Sequence, residues 1–449
     1  MNDPSAQPLV RRNGRPARVP RPQATPAAPV AAGPVLRPWL RAQSVNVVRH
    51  AAALRPFADG EFGTDAAAPS RGHVQAVNAL IVRLRDLLIR RTRQVTDAGE
   101  LAKRQPNTGR LTRVLVTKER AHAQVRAVET VWDFYFELFG QRQSRFAPWL
   151  LACDRIALDC YQVAFLGVGE AKPIPAPPPF SYMRTGFSPA TYRRSIPLRR
   201  LGRQLNPFPL IQLPYHRLVN PWTLGAILHE VSHNLQNELG LAEVIPNAIA
   251  RRLRAAGLPE PVVATWRRWN RETYADLSGL LLGGPAVVAS LLDVIGRGPA
   301  TVLAYHPRAP HPTPYLRALI SVELLRRMGF TGEADRFRAM WTRLYPDPTG
   351  GTLPRPLLAT AARTVPLIVD TICYQPCRVL GGKRLADVLP FGRKEQQINE
   401  EAARRLASGN DPGIVPERFL IGAARIALDN CLARPGVIAR NFYEALGRR

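Results

Sequence analysis

The chain has 449 residues, 46% of them hydrophobic, so it can bury a large core. Its length suggests one large domain or two to three smaller modules. Its formal net charge of +28 points towards nucleic acid or an anionic membrane. Only five of the 62 basic residues are lysine, however, and the arginines are spread along the chain. The abundance of Arg, together with that of Ala and Pro, is therefore explained by the codon bias of a GC-rich genome about as well as by a binding face.

The five cysteines are few and odd in number: Cys153, Cys160, Cys373, Cys377 and Cys431. A secreted, disulfide-stapled protein typically has a denser and even set, so this pattern favours a reducing compartment. Cys373 and Cys377 lack a second Cys/His pair at suitable spacing, which favours buried thiols over half of a metal site. No secretory signal or uninterrupted apolar span of about 20 residues is visible, so we expect a cytoplasmic protein without a transmembrane segment.

Residues 1–45 are rich in proline, arginine and alanine, and the composition predicts a disordered basic tail. Such a tail could contact nucleic acid or an acidic partner, although an extension without function is at least as consistent with it. Residues 70–170 instead predict a helical segment, because apolar residues recur at helical spacing. Its three helices are expected from about His73, over about Lys118–Phe139 and over about Ala147–Leu166.

The Pro-rich stretch Lys172–Phe180 predicts a connector to a core over residues 180–330. Within that core, Ser188–Ala190 is typical of a helix start. Phe208–Tyr215 predicts a short extended segment, and its flanking prolines confine it to an edge strand. An edge strand beside a metal helix can align a peptide substrate by strand addition, whereas a simple extended linker would have the same sequence pattern.

Asn220–Gly240 predicts the central helix, with an N-cap at its start and a glycine at its end. It contains His229-Glu230-Val231-Ser232-His233. Residues four apart lie on one face of a helix, so both imidazoles can reach one metal ion. Glu230 between them can hold and deprotonate a metal-bound water.

A catalytic zinc site needs a third protein ligand. A metzincin would have a histidine at position 239, but Leu239 stands there. Glu272 on a following helix is the candidate, and Asp276 one turn later can accept the second ring N–H of His229. Gly279, a further turn along, would let the two helices approach closely. The alternative is a surface acidic pair that balances nearby arginines.

His-Glu-x-x-His followed by Glu272-Thr273-Tyr274-Ala275-Asp276 resembles the gluzincin zinc peptidases, especially the prenyl-protein and heat-shock membrane protease group. A third element, His311-Pro312 followed by Arg317, is similar to the His-Pro-x4-Arg element of that group. The resemblance covers about Asn220–Arg317. It implies zinc ligands at His229, His233 and Glu272, a general base at Glu230, and roles for His311 and Arg317 in contacting substrate or steadying the site. Candidate donors to the developing oxyanion are His311, His306, Tyr305 and Arg317.

The remaining residues, 331–449, predict a helical segment packed on the core. The expected fold is therefore mainly α: a zincin-like metallopeptidase core with a short edge strand or small sheet, embedded in helical flanking segments. The expected function is that of a zinc metalloendopeptidase that hydrolyses peptide or protein substrates through a metal-bound water activated by Glu230. Two alternatives stay open: a helical scaffold with a structural or inactive zinc site, and a basic nucleic-acid-binding protein.

Overall fold

The computed structural model describes residues 35–169 and 172–449. Most of the predicted tail, residues 1–34, lies outside these ranges, as do residues 170–171. The described residues are mostly helical with one small three-stranded sheet, which confirms the mainly-α prediction.

Four long helices come first: α1 (Leu36–Ala53), α2 (Arg71–Arg104), α3 (Thr108–Gly140) and α4 (Ala147–Val168). The last three match the helical segment predicted over 70–170. Helix α1 shows that the predicted disordered tail is wrong for residues 36–45. Leu40 and Val47 of α1 are fully buried, so the helix has an apolar face that packs against the protein. The high content of proline and arginine in residues 1–45 does not indicate this face.

The chain divides into two compact units. One comprises the residues up to His50 together with Ile89–His122, and in its described part small apolar side chains such as Ala98 and Val114 surround Leu40. The other comprises Ala51–Leu88 and Ala123–Arg449 and contains every candidate site residue.

The sheet consists of β1 (Phe180–Met183), β2 (Ala190–Tyr192) and β3 (Leu210–Leu213), in the order β1-β3-β2. Strand β3 pairs parallel with β1 and antiparallel with β2, so the prediction that Phe208–Tyr215 is an edge strand is wrong. Pro209 and Pro214 lie just outside the four paired residues and remove no ladder hydrogen bond. The edge strands are β1 and β2, and β2 lies in the stretch where the sequence predicts a helix start.

Five helices follow the sheet: α5 (Tyr215–Val219), α6 (Gly225–Glu238), α7 (Leu241–Ala255), α8 (Glu260–Gly283) and α9 (Pro285–Ile295). Helix α6 is shorter than the predicted Asn220–Gly240, because a 3-10 turn at Pro221–Thr223 precedes it. The predicted close approach of α6 and α8 at Gly279 is confirmed. A Cβ atom at this position would lie 3.4 Å from the backbone nitrogen of His229.

The C-terminal helices are α10 (Pro299–Val302), α11 (Pro314–Arg327), α12 (Thr331–Leu344), α13 (Arg355–Val369), α14 (Leu385–Val388), α15 (Arg393–Ala407), α16 (Phe419–Asp429) and α17 (Pro435–Gly447). A π-helical turn, Asp370–Tyr374, continues α13. Just before α16, Arg418 forms a buried ion pair with Asp159 of α4 at 2.9 Å, which fixes the C-terminal segment to the core. Most of residues 331–449 are helical.

Among the described residues, one segment, Arg355–Leu380, is long and apolar enough to cross a membrane by length and composition. Half of its most apolar stretch is buried inside the protein, and core helices of other proteins meet the same criterion.

The five cysteines are free thiols, and Cys373 is fully buried.

Candidate metal centre

Helix α6 presents the His-Glu-x-x-His residues because its opposite side is anchored in the core. Leu228, Val231 and Leu235 are fully buried on that side. His229 and His233, one helical turn apart, are half-buried at the edge of a cleft between α6 and α8. The amphipathic pattern of the helix therefore orients both imidazoles towards Glu272 of α8.

The three predicted ligands converge on one point. The Nε2 atoms of His229 and His233 lie 3.2 Å apart. Glu272 places Oε2 3.4 Å from Nε2 of His229 and Oε1 3.5 Å from Nε2 of His233. Tetrahedral ligands at about 2.05 Å from a zinc ion are separated by about 3.3 Å. The donor set therefore fits zinc in both chemistry and spacing.

Asp276 and Arg317 form a buried support behind His229. Arg317 donates two hydrogen bonds to Asp276, from Nε to Oδ2 and from Nη2 to Oδ1, both of 2.7 Å. Burial would raise the pKa of Asp276, but the Arg317 guanidinium and His229 hold it at about 2. Since ionised Asp276 can only accept, the contact of 2.9 Å between its Oδ1 and His229 Nδ1 has the imidazole as donor. With Nδ1 engaged by Asp276, Nε2 is the ring nitrogen of His229 that a metal ion would bind.

The carboxylate of Glu272 is held ionised among the imidazoles. Burial would raise its pKa, but hydrogen bonds from His229, His233 and His311 hold the pKa well below its usual range. Burial likewise would lower the pKa of His229, whereas hydrogen bonds to Asp276 and Glu272 raise it to about 10. In the metal-free chain, a proton on His229 thus compensates the two carboxylates. A metal cation would replace that proton.

Glu230 lies beside the ligands without belonging to them. Its side chain is buried, and this burial raises its pKa, while positive charge on His229 and His233 opposes the rise. A carboxylate with a raised pKa accepts a proton more readily, as a general base must. The environment of Glu230 therefore suits proton transfer.

The four candidate oxyanion donors occupy different environments. His311 precedes α11, has an exposed side chain at the cleft mouth, and its Nε2 lies 3.1 Å from Oε2 of Glu272. Tyr305 accepts a hydrogen bond from Arg268, and His306 is exposed in the same loop. The guanidinium of Arg317 is committed to Asp276. His311 is therefore the candidate best placed to face a substrate, and Arg317 is placed to orient His229 through Asp276.

A cavity of about 130 Å³ opens beside the ligands. His229, Glu230 and Glu272 line its polar end, and Ser188 and Pro189 border it just before β2. Its apolar wall comes from α8 and α9: Leu280, Val287, Val288, Leu291 and Val294. Sequence reasoning missed this wall and β2. Neither has a chemical motif, and the run of aliphatic residues in α9 indicates only a buried helix.

The Asp276–Arg317 pair predicts a pH-dependent contribution to stability. The pKa of Asp276 is about 2 in the folded chain and about 3.9 in an unfolded one. Its contribution is present above about pH 4 and is lost as the pH falls towards 2. The measurement is a series of denaturant titrations of wild type and Asp276→Asn with a chelator present. We expect the difference between their free energies of unfolding to decrease by about 2 kcal/mol as the pH falls from 4 to 2. A difference independent of pH would contradict the prediction.

Comparisons of the chain with protein-family models, curated proteins and solved structures found no match. The predicted metal ligands lie together with Glu230, Asp276, His311 and Arg317 around one cleft, whereas Tyr305 and His306 do not line it. Among the described residues, His229, His233 and Glu272 form the one group of His, Cys, Asp and Glu side chains with the geometry of a metal site.

Proposed function

We propose that this chain is a zinc-dependent peptidase of gluzincin type with a zincin-like core. The observation that carries the proposal is the spacing of 3.2 to 3.5 Å among the ligand atoms of His229, His233 and Glu272. The buried Asp276–Arg317 pair adds support, because it fixes the tautomer and orientation of His229. A surface acidic pair would need neither this burial nor this convergence.

Each site residue has a separate role in the proposed peptide hydrolysis. Zinc held by the three ligands would supply Lewis acidity, which lowers the pKa of water and polarises a carbonyl. Glu230 takes the proton from the attacking water and delivers it to the leaving amine. His311 donates to the oxygen on which negative charge develops. Asp276 and Arg317 hold the His229 ring in place.

Strand β2 supports a peptide as the substrate. It is the edge of the sheet that faces α6, and Asn234 of α6 donates a hydrogen bond of 2.9 Å to the Thr191 hydroxyl. An extended peptide could add to the free side of β2 and cross the ligands, as strand addition requires. The aliphatic cavity would then accept one apolar side chain next to the scissile bond. The five free thiols support a reducing, cytoplasmic compartment as a further part of the proposal.

Metal analysis combined with a peptidase assay tests the proposal. We expect one zinc ion per chain and cleavage of a mixed peptide library that disappears with a chelator and returns with added zinc. His233→Ala removes one of three ligands, so zinc should no longer copurify at one equivalent. His50→Ala, at an exposed histidine of α1, serves as the matched control and should retain both properties. A folded, metal-free wild-type protein would refute the proposal.

A further inference from the structure

The cleft at the metal centre has two chemically different ends. At one end, Ala226 of α6 lines the aliphatic cavity. From there α6 passes His229 and His233 and reaches the exposed Asn237. At 1.5 Å per residue, Ala226 and Asn237 are separated by about 16 Å, which is the length of about five residues of an extended peptide. A bound peptide is long enough to contact both ends.

Arginine side chains lie at the end of the cleft near Asn237. Arg193 directly follows β2, and its Nη1 donates a hydrogen bond of 3.2 Å to Oδ1 of Asn237. Arg271 lies one turn before Ala275, which lines the cavity, on the same face of α8. Burial and then the like charge of Arg271 lower the pKa of Arg193, as expected for two guanidinium groups at the same end of the cleft. No carboxylate among the described residues forms an ion pair with either.

Arg268, one turn before Glu272 on α8, adds a third positive charge to this end. Its Nη2 donates to the Tyr305 hydroxyl at 3.2 Å and its Nε donates to the carbonyl of Ala309 at 3.3 Å. Both partners are neutral. Like charges at one end of a cleft, without an ion-paired carboxylate among the described residues, attract an anion to that end. The arginine cluster (Arg193, Arg268 and Arg271) therefore has the charge pattern of an anion-binding subsite.

We propose that the arginine cluster binds a carboxylate side chain of the peptide substrate and makes this protein selective for acidic peptides, an inference that rests on the proposed peptidase function. Strand β2 runs from the cavity end towards Arg193. A peptide added in the commoner antiparallel sense runs the opposite way, from the arginine cluster to the cavity. Its acidic residue therefore lies on the N-terminal side of the scissile bond.

The position of the acidic residue follows from the helix geometry. His233 and Asn237 are one turn apart on α6, which corresponds to about 6 Å, or about two residues of an extended chain. The carboxylate therefore belongs to the second or third residue before the scissile bond. The aliphatic residue that enters the cavity directly follows that bond.

The test uses eight-residue peptides with leucine after the intended scissile bond and Glu, Gln or Lys as the second or third residue before it. With zinc-loaded wild type, we expect kcat/KM to rise about tenfold from Gln to Glu and to be lowest for Lys. Added salt should reduce the preference. Fluorescein-labelled versions are titrated against Glu230→Gln by anisotropy, because this variant binds without cleaving and should show the same order of affinities.

The variants Arg193→Gln and Arg271→Gln should each weaken the Glu preference, and Arg271→Glu should turn it towards Lys. Arg267→Gln is the matched control, because Arg267 is exposed on the same helix and donates to Asn247 of α7 instead. Equal cleavage and equal binding of the Glu, Gln and Lys peptides would overturn the inference while leaving the peptidase intact. Arginine-dependent binding of the Glu peptide without any cleavage would instead support the subsite and refute the proposed peptidase.

Discussion

Replacing Glu230 with glutamine is expected to reduce kcat on the order of a thousandfold while leaving the zinc content unchanged. Glutamine has the same shape but cannot accept the proton of the attacking water, and general-base catalysis contributes about 10²- to 10⁴-fold to such reactions. The ligand atoms of His229, His233 and Glu272 are untouched, so one zinc per chain should remain. Peptide cleavage rates and metal analysis of the same preparation measure both quantities.

Stability distinguishes this loss from misfolding. Burial raises the pKa of Glu230, which means that the folded chain bears a cost for holding its charge. A neutral glutamine relieves that cost, so the melting temperature should stay the same or rise. Glu243→Gln, at an exposed residue in the first turn of α7, is the matched control and should keep full activity. Full activity of zinc-bound Glu230→Gln would exclude the general-base role.

The clustering of the candidate metal ligands could be predicted because each helix contributes residues that lie one turn apart in the sequence. His229 and His233 are four apart on one helix, as are Glu272 and Asp276 on another. Residues at this spacing share a helix face, so the sequence alone indicates which side chains can meet one ion. Gly279 completes the pattern, because a small residue one turn further along is what permits two helices to pack closely.

Two structural elements could not be predicted because their formation depends on distant partners. Strand β2 has only three residues, and only its pairing with β3 and its contact with α6 make it a strand. The proline rule failed for Phe208–Tyr215 for a related reason. Prolines exclude a segment from the centre of a sheet only when they lie within the paired residues.

The arginine cluster was equally hidden. Arg193, Arg268 and Arg271 are three among 57 arginines, and a composition so rich in this residue gives no reason to single them out. Arg193 and Arg271 come from different parts of the chain and lie at one end of the cleft only because the fold places the end of β2 and α8 beside it. Charge patterning along the sequence detects runs, whereas this cluster exists only in three dimensions.

Replacing Arg317 with alanine is expected to cost about 3 kcal/mol of stability and to weaken zinc binding by about 10- to 100-fold. Without the guanidinium, Asp276 is left buried with His229 as its one partner among the described residues, so its pKa rises. A protonated Asp276 no longer fixes the N–H of His229, and the metal loses a preorganised ligand. Denaturant titration and competition with a zinc chelator measure the two effects.

The controls separate the positioning role of Arg317 from a direct catalytic one. Arg254→Ala breaks an exposed pair with Glu260 and should change neither stability nor zinc affinity measurably. Arg317→Lys keeps the charge but loses the two-pronged hydrogen bond, so its zinc affinity should be intermediate. If Arg317 instead donated to the oxyanion, its removal would lower kcat with zinc affinity unchanged. We expect the loss of stability and zinc affinity instead, because both hydrogen bonds of the Arg317 guanidinium go to Asp276, which in turn holds His229.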